Sequence, residues 1–191
     1  SNLRKLALSS VDHEIPDISF LETMVNLEEL TLPLAKISDI QVVANLTELK
    51  FLDLANNNIN DLHPLSALVH LEDLRLSSNA INDISPLSNL TQLLFLDLGN
   101  NQITDLSPLR HLTSLHSLRL GSNDIVDISA LANLHNLVAL DLSSNMISDI
   151  LVRVEDIDFG QGDSLNLADN CLSGTANDAF SYWQEEKVWL G

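Results

Sequence analysis

Aromatic residues are scarce in this chain, 4% of 191 positions, although hydrophobic residues make up 45%. Its core must therefore be aliphatic, a bias that suits stacked repeats reusing one kind of side chain. Glycine occurs only 6 times, which leaves little material for an active-site loop. No Gly-rich phosphate loop, G-x-S-x-G elbow or H-E-x-x-H occurs. Cys171 is the only cysteine, so an internal disulfide is excluded, and the residue reads as a small apolar filler. The six histidines share no metal-ligand spacing. We therefore expect no catalytic residue, no metal and no cofactor.

Positive charge is also scarce. Lys and Arg number 9 against 27 Asp and Glu, a formal net charge of -18. Such a surface repels phosphate, which argues against nucleic acid and anionic membranes as partners. Solubility is the plainest use of the charge, and a basic protein partner is compatible with it. No apolar run approaches the roughly 18 residues of a membrane-spanning helix, so membrane insertion is not expected. The length fits one domain with a sizeable core.

What the chain has in abundance is periodic leucine. Asn57, Asn79, Asn101, Asn123 and Asn145 lie 22 residues apart, each closing L-x-x-L-x-L-x-x-N, as in Leu71-Leu74-Leu76-Asn79. An Ile follows two positions on, then Asp-Ile or Asp-Leu, then a turn such as Ser85-Pro86-Leu87. This is the leucine-rich-repeat pattern. Leucines at every second position of x-x-L-x-L share one side of a strand, and stacking the copies buries that side. The expected fold is α/β: a right-handed leucine-rich-repeat solenoid, an arc with a parallel sheet on its concave face and short 3₁₀-type turns on its convex face. Pro64, Pro86 and Pro108 suit the start of each turn. The Asn column, with Asn170, is expected to be a structural ladder, because an amide both donates and accepts.

Three segments follow. Residues 1–23 form an irregular first repeat, 24–155 the regular repeats, and 156–191 a last repeat with a C-terminal cap, all in one domain. Ala35 stands where the second coil would place Asn, and Leu3-Leu6-Leu8 opens the array without a polar cap ahead of it. That bare N-terminal edge is a self-association site or the seat of upstream residues; otherwise a monomer is expected. At the other end, three extra residues separate Asn145 from Asn170, and Ala179, Phe180 and Trp183 have the spacing of a capping helix.

The 22-residue period, the Leu-Thr-x-Leu openings (Leu46-Thr47, Leu90-Thr91, Leu112-Thr113) and the turn from Asp83 to Leu87 together resemble the bacterial internalin-type repeat family. The resemblance covers residues 24–150. It implies a non-catalytic, cell-surface or secreted module of a bacterium that binds a protein partner through its concave face. A period this short also resembles an intracellular regulator family of eukaryotic phosphatases, which keeps open a regulatory or adaptor subunit that positions an enzyme. The recognition segment of a larger multidomain protein is a third reading.

If the leucines face inward, the residues between them form the binding surface. One outward column reads Thr31, Asp53, Arg75, Asp97, Arg119, Asp141, and its neighbour reads Glu29, Phe51, Asp73, Phe95, Ser117, Ala139. Both alternate, so the underlying unit is 44 residues. With strands about 4.8 Å apart, the first column sets opposite charges side by side. It is either an exposed ion-pair ladder, about 0–1 kcal/mol per pair, or a charged stripe that gives a ligand specificity. Phe51 and Phe95, about 10 Å apart across two strands, are either an interface hot spot or simply packed on their neighbours. A further column, Asp39, Asp61, Asp83, Asp105, Asp127 and Asp149, invites calcium, but one carboxylate per coil fits turn capping better.

Overall fold

The computed structural model describes residues 2–8, 15–148 and 163–172. Within them the leucine period becomes eight three-residue strands: β1 (Lys5–Ala7), β2 (Glu29–Thr31), β3 (Phe51–Asp53), β4 (Asp73–Arg75), β5 (Phe95–Asp97), β6 (Ser117–Arg119), β7 (Ala139–Asp141) and β8 (Ser164–Asn166). They pair in sequence order as one parallel sheet. The central leucines align across it, Leu30, Leu52, Leu74, Leu96, Leu118, Leu140 and Leu165. All are buried, with both flanking residues pointing outward. Among the described residues the opposite side of the coils is a 3₁₀ turn of three to five residues, and His63–Leu65, Ser85–Leu87 and Ser107–His111 carry proline at their second residue. The proline supplies φ ready-made and lacks only an N–H that the turn leaves unpaired.

The core between sheet and turns is a stack of leucine and isoleucine columns, most of them fully buried. At its edge the asparagines form the expected ladder. In Asn123 the amide nitrogen donates to Leu120 O of its own coil and Leu98 O of the preceding one, while its oxygen accepts the Ile103 amide at 3.0 Å. Asn79, Asn101 and Asn145 repeat this. Asn57 Oδ1 accepts two amides, from Ala35 and Ile37, at 3.1 and 2.9 Å. Asn170 joins the column through Ile147 N and Leu142 O, so the three extra residues do not break the ladder.

The residue before each ladder Asn is left-handed: Asn56, Ser78, Asn100, Ser122, Ser144 and Asp169 have φ between 53° and 58°, and Leu34 has φ 59°. Asn, Asp and Ser tolerate this through short polar side chains. The Asp column caps turns, as expected: Asp39, Asp61, Asp83, Asp105 and Asp127 each accept the backbone N–H two residues on, at 2.8–2.9 Å. Asp149 lies outside the described residues, as do the proposed capping helix and its Trp183. Cys171 differs from expectation. It is exposed rather than filling the core, because it follows the ladder Asn on the side facing away from the leucines.

Candidate functional site

The pleat that buries the leucines leaves two side-chain columns standing on the open sheet. One holds Glu29, Phe51, Asp73, Phe95 and Ser117 beside Ala139; the other holds Thr31, Asp53, Arg75, Asp97, Arg119 and Asp141. All are half-buried except Arg119, which is exposed.

The two columns interlock at the centre. Arg75 extends from β4 into the neighbouring column, where its Nε and Nη2 donate to both oxygens of Asp73 at 3.0 and 2.9 Å. There its guanidinium carbon lies 5.0 Å from the Phe51 ring centre and 5.1 Å from that of Phe95. Arg119 adds a second cation to Phe95, at 5.2 Å. Rings and guanidinium groups therefore alternate: Phe51, Arg75, Phe95, Arg119. Each contact places a cation over the negative face of a ring, about 0.5–1 kcal/mol at an exposed site. The hydrogen bonds to Asp73, helped by the charges of Asp53 and Asp97, hold the Arg75 pKa above its ordinary value against partial desolvation.

The ion-pair ladder expected along the second column exists only in part. Arg119 pairs with Asp97 at 3.8 Å, but Arg75 pairs with Asp73 of the adjacent column instead of Asp53 or Asp97. Those two carboxylates are used locally. Asp53 accepts Ala55 N, Asp97 accepts Gly99 N, and Asp141 accepts the amide and hydroxyl of Ser143. Glu29 is held by Lys5 at 2.6 Å.

Sequence reasoning missed a third column, the residues just ahead of each strand. Arg4, Glu28 and Lys50 form linked ion pairs there. Farther along, Leu94 and Val138 are 43% and 47% exposed, with exposed His116 between them in backbone register. Reading the residue after the first leucine of each repeat would have revealed the change from charged to apolar.

A leucine-rich-repeat family model matches residues 47–89, 69–111 and 113–157. An internalin (inlF) of Listeria monocytogenes is 38% identical, with a TM-score of 0.87 over 93% of this chain. Internalin C2 of the same species is 32% identical, with a TM-score of 0.64, and the match covers 88% of this chain and 78% of that one. The chain belongs to the internalin-type leucine-rich-repeat family. It spans 51% of the inlF chain. A leucine-rich-repeat protein of Leptospira interrogans, 20% identical with a TM-score of 0.72 over 98% of this chain and 60% of that one, shares the fold. No curated protein matches by sequence. Leucine-rich repeats of this kind are protein-interaction modules, and no helix among the described residues of this internalin-type chain is long and apolar enough to cross a membrane.

Proposed function

We propose that this internalin-type array is a non-catalytic bacterial surface or secreted protein that binds a protein partner across its concave sheet, centred on Phe51, Arg75 and Phe95. One observation carries the reading. Two aromatic residues, in a chain with few, stand on the solvent side of the sheet and clamp an arginine between them. A core does not need them there, because the leucine columns behind are already complete. Rigid aromatics and a pre-positioned arginine are the side chains that dominate binding energy at interfaces. The surrounding Glu29, Thr31, Asp53, Asp73, Asp97, Ser117, Arg119 and Asp141 supply a polar rim and orientation. In this reading residues 1–23 are an irregular first repeat, 24–155 the regular repeats and 156–191 a last repeat and C-terminal cap, all one domain that carries the surface.

The test is partner capture by cross-linking from the surroundings of the source bacterium, comparing the native chain with the F51A/F95A double variant. A control substitution, Val126→Ala, alters an exposed apolar residue on the loop side of a coil. Each aromatic hot spot is worth about 2 kcal/mol or more, roughly 30-fold in affinity. Loss of capture in the double variant alone, measured well below its melting temperature, which the three lost ring contacts lower by about 3–12 °C, is the expected result. Full capture by the double variant removes the proposal. Labelling of intact cells by an antibody to the array tests the surface assignment, and a signal seen only after lysis rejects it.

A further inference from the structure

The stack of rings and guanidinium groups is built on a 44-residue alternation, and at one end that alternation is incomplete. Arg119 and Arg75 occupy equivalent positions two repeats apart, and the next equivalent position toward the N-terminus is Thr31. Phe51 and Phe95 are likewise equivalent. Phe95 has a guanidinium from each neighbouring strand, Arg75 of β4 and Arg119 of β6. Phe51 has Arg75 of β4, but its other neighbour, β2, carries Thr31, too short to reach over the ring. The carboxylate that would complete the site is present. Glu29 pairs in register with Phe51 on the β2 side, as Asp73 does on the β4 side. Lys5 of β1 holds Glu29 Oε1 from the side away from Phe51. Asp53 adds negative charge beside the ring from the next column.

We propose that this position on β2, bounded by Phe51, Glu29, Thr31 and Asp53, is a receptor site for an arginine side chain of the partner protein. The inference rests on the concave-face reading above and names the chemistry that face recognises. The incoming guanidinium takes the place that Thr31 leaves. It lies over the open face of Phe51 and donates to the Glu29 carboxylate, repeating the way Arg75 meets Phe51 and Asp73. The chain shows its own template for the contact, in bidentate hydrogen bonds of 2.9–3.0 Å and a ring distance of 5.0 Å. Arginine is preferred to lysine because only its planar fork satisfies the carboxylate and stacks on the ring together. The excess of acid in the whole chain, 27 carboxylates to 9 Lys and Arg, draws a basic segment toward this face.

The experiment titrates the full chain with acetyl-Gly-Arg-Gly-amide and follows the Phe51 ring and Thr31 methyl signals by NMR. The citrulline analogue, which keeps the shape and loses the charge, is the control. Saturable shifts at these two residues in the millimolar range are expected, with the citrulline peptide about tenfold or more weaker. The Thr31→Arg variant fills the site from within, so it should abolish the response, read there at the Phe51 ring alone, while melting no lower than the parent. Glu29→Gln should weaken it without moving the melting point by more than a degree or two. Absence of saturable shifts at Phe51 and Thr31, equal binding of the citrulline peptide, or an unchanged response in Thr31→Arg overturns the inference. Partner capture that still depends on Phe51 and Phe95 under those outcomes leaves the concave-face reading standing, so the two fail separately.

Discussion

Replacing Asn123 with Leu tests the ladder most directly, because the side chain is 7% exposed and its size barely changes. The substitution leaves Ile103 N–H without its partner and takes one of two donors each from Leu98 C=O, which keeps Asn101 Nδ2, and from Leu120 C=O, which keeps Asn145 Nδ2. The orphaned N–H costs about 1–3 kcal/mol, and each hydrogen bond lost from a carbonyl that keeps its other donor about 0.5–1.5 kcal/mol. Burial of the new apolar side chain returns about 1.5–3 kcal/mol. The mid-range net loss is therefore about 2 kcal/mol, which for a domain of this size lowers the melting temperature by roughly 4–8 °C. Thermal melts followed by far-ultraviolet circular dichroism, with urea titration beside them, provide the measurement. Asn123→Asp separates acceptor from donor. It keeps an oxygen for Ile103 N but sets a carboxylate against two carbonyls. Its deficit relative to the parent should shrink as pH falls and the new carboxyl regains a proton to donate. A fall of less than about 2 °C in the Leu variant would refute the claim that the column holds the coils together.

Other substitutions probe single features. Leu34 is 55% exposed with φ 59°, where a bulky side chain carries about 1–2 kcal/mol of strain, so Leu34→Asn should raise the urea midpoint. Gly99 and Gly121 occupy equivalent places in adjacent coils, yet a methyl group at Gly99 meets nothing closer than 3.4 Å, whereas one at Gly121 lies 2.9 Å from Ser143 Oγ. Gly99→Ala should stabilise by about 0.4–1 kcal/mol through the unfolded chain, and Gly121→Ala should gain less or lose stability by displacing the Ser143 hydroxyl from Asp141; equal melting shifts would contradict this. The Asp61 and Asp83 pKa values lie below the ordinary range, chiefly because backbone N–H groups of His63 and Ser85 donate to them. A lowered folded pKa contributes stability above the unfolded value, about 3.9, which is lost as pH falls through the lower folded values. Acid titration should therefore show less loss between neutral pH and pH about 3 in the D61N/D83N double variant than in the parent.

The fold was legible because its signal is redundant. Leu52, Leu74, Leu96 and their equivalents repeat one decision at a fixed interval, so strand, register and buried face all follow from a single count. The site was legible only as a set of positions. Phe51, Arg75 and Phe95 were placed on the open face by alternation, but the pairing within that face was misjudged, because strand spacing alone puts Arg75 beside Asp53 and Asp97. A guanidinium on a long flexible stem is not confined to its own column. It reached Asp73, whose carboxylate was free for a bidentate contact, while Asp53 and Asp97 were already accepting Ala55 N and Gly99 N. The apolar edge at Leu94 and Val138 went unread for a different reason: those residues sit ahead of the strands, where the period-two rule assigns no face.

The Asn ladder and the ring–guanidinium stack obey different arithmetic. Every ladder Asn bonds to its own coil and the one before it, so adding or deleting one 22-residue coil leaves the ladder whole. The stack alternates over 44 residues, and the same change of one coil inside it would bring ring against ring or carboxylate against carboxylate. The scaffold can thus change length one repeat at a time, while the stack keeps its alternation only when coils are added or lost two at a time. Related arrays that differ by an odd number of coils within this stack would keep their shape and, on the concave-face binding proposed above, lose the partner.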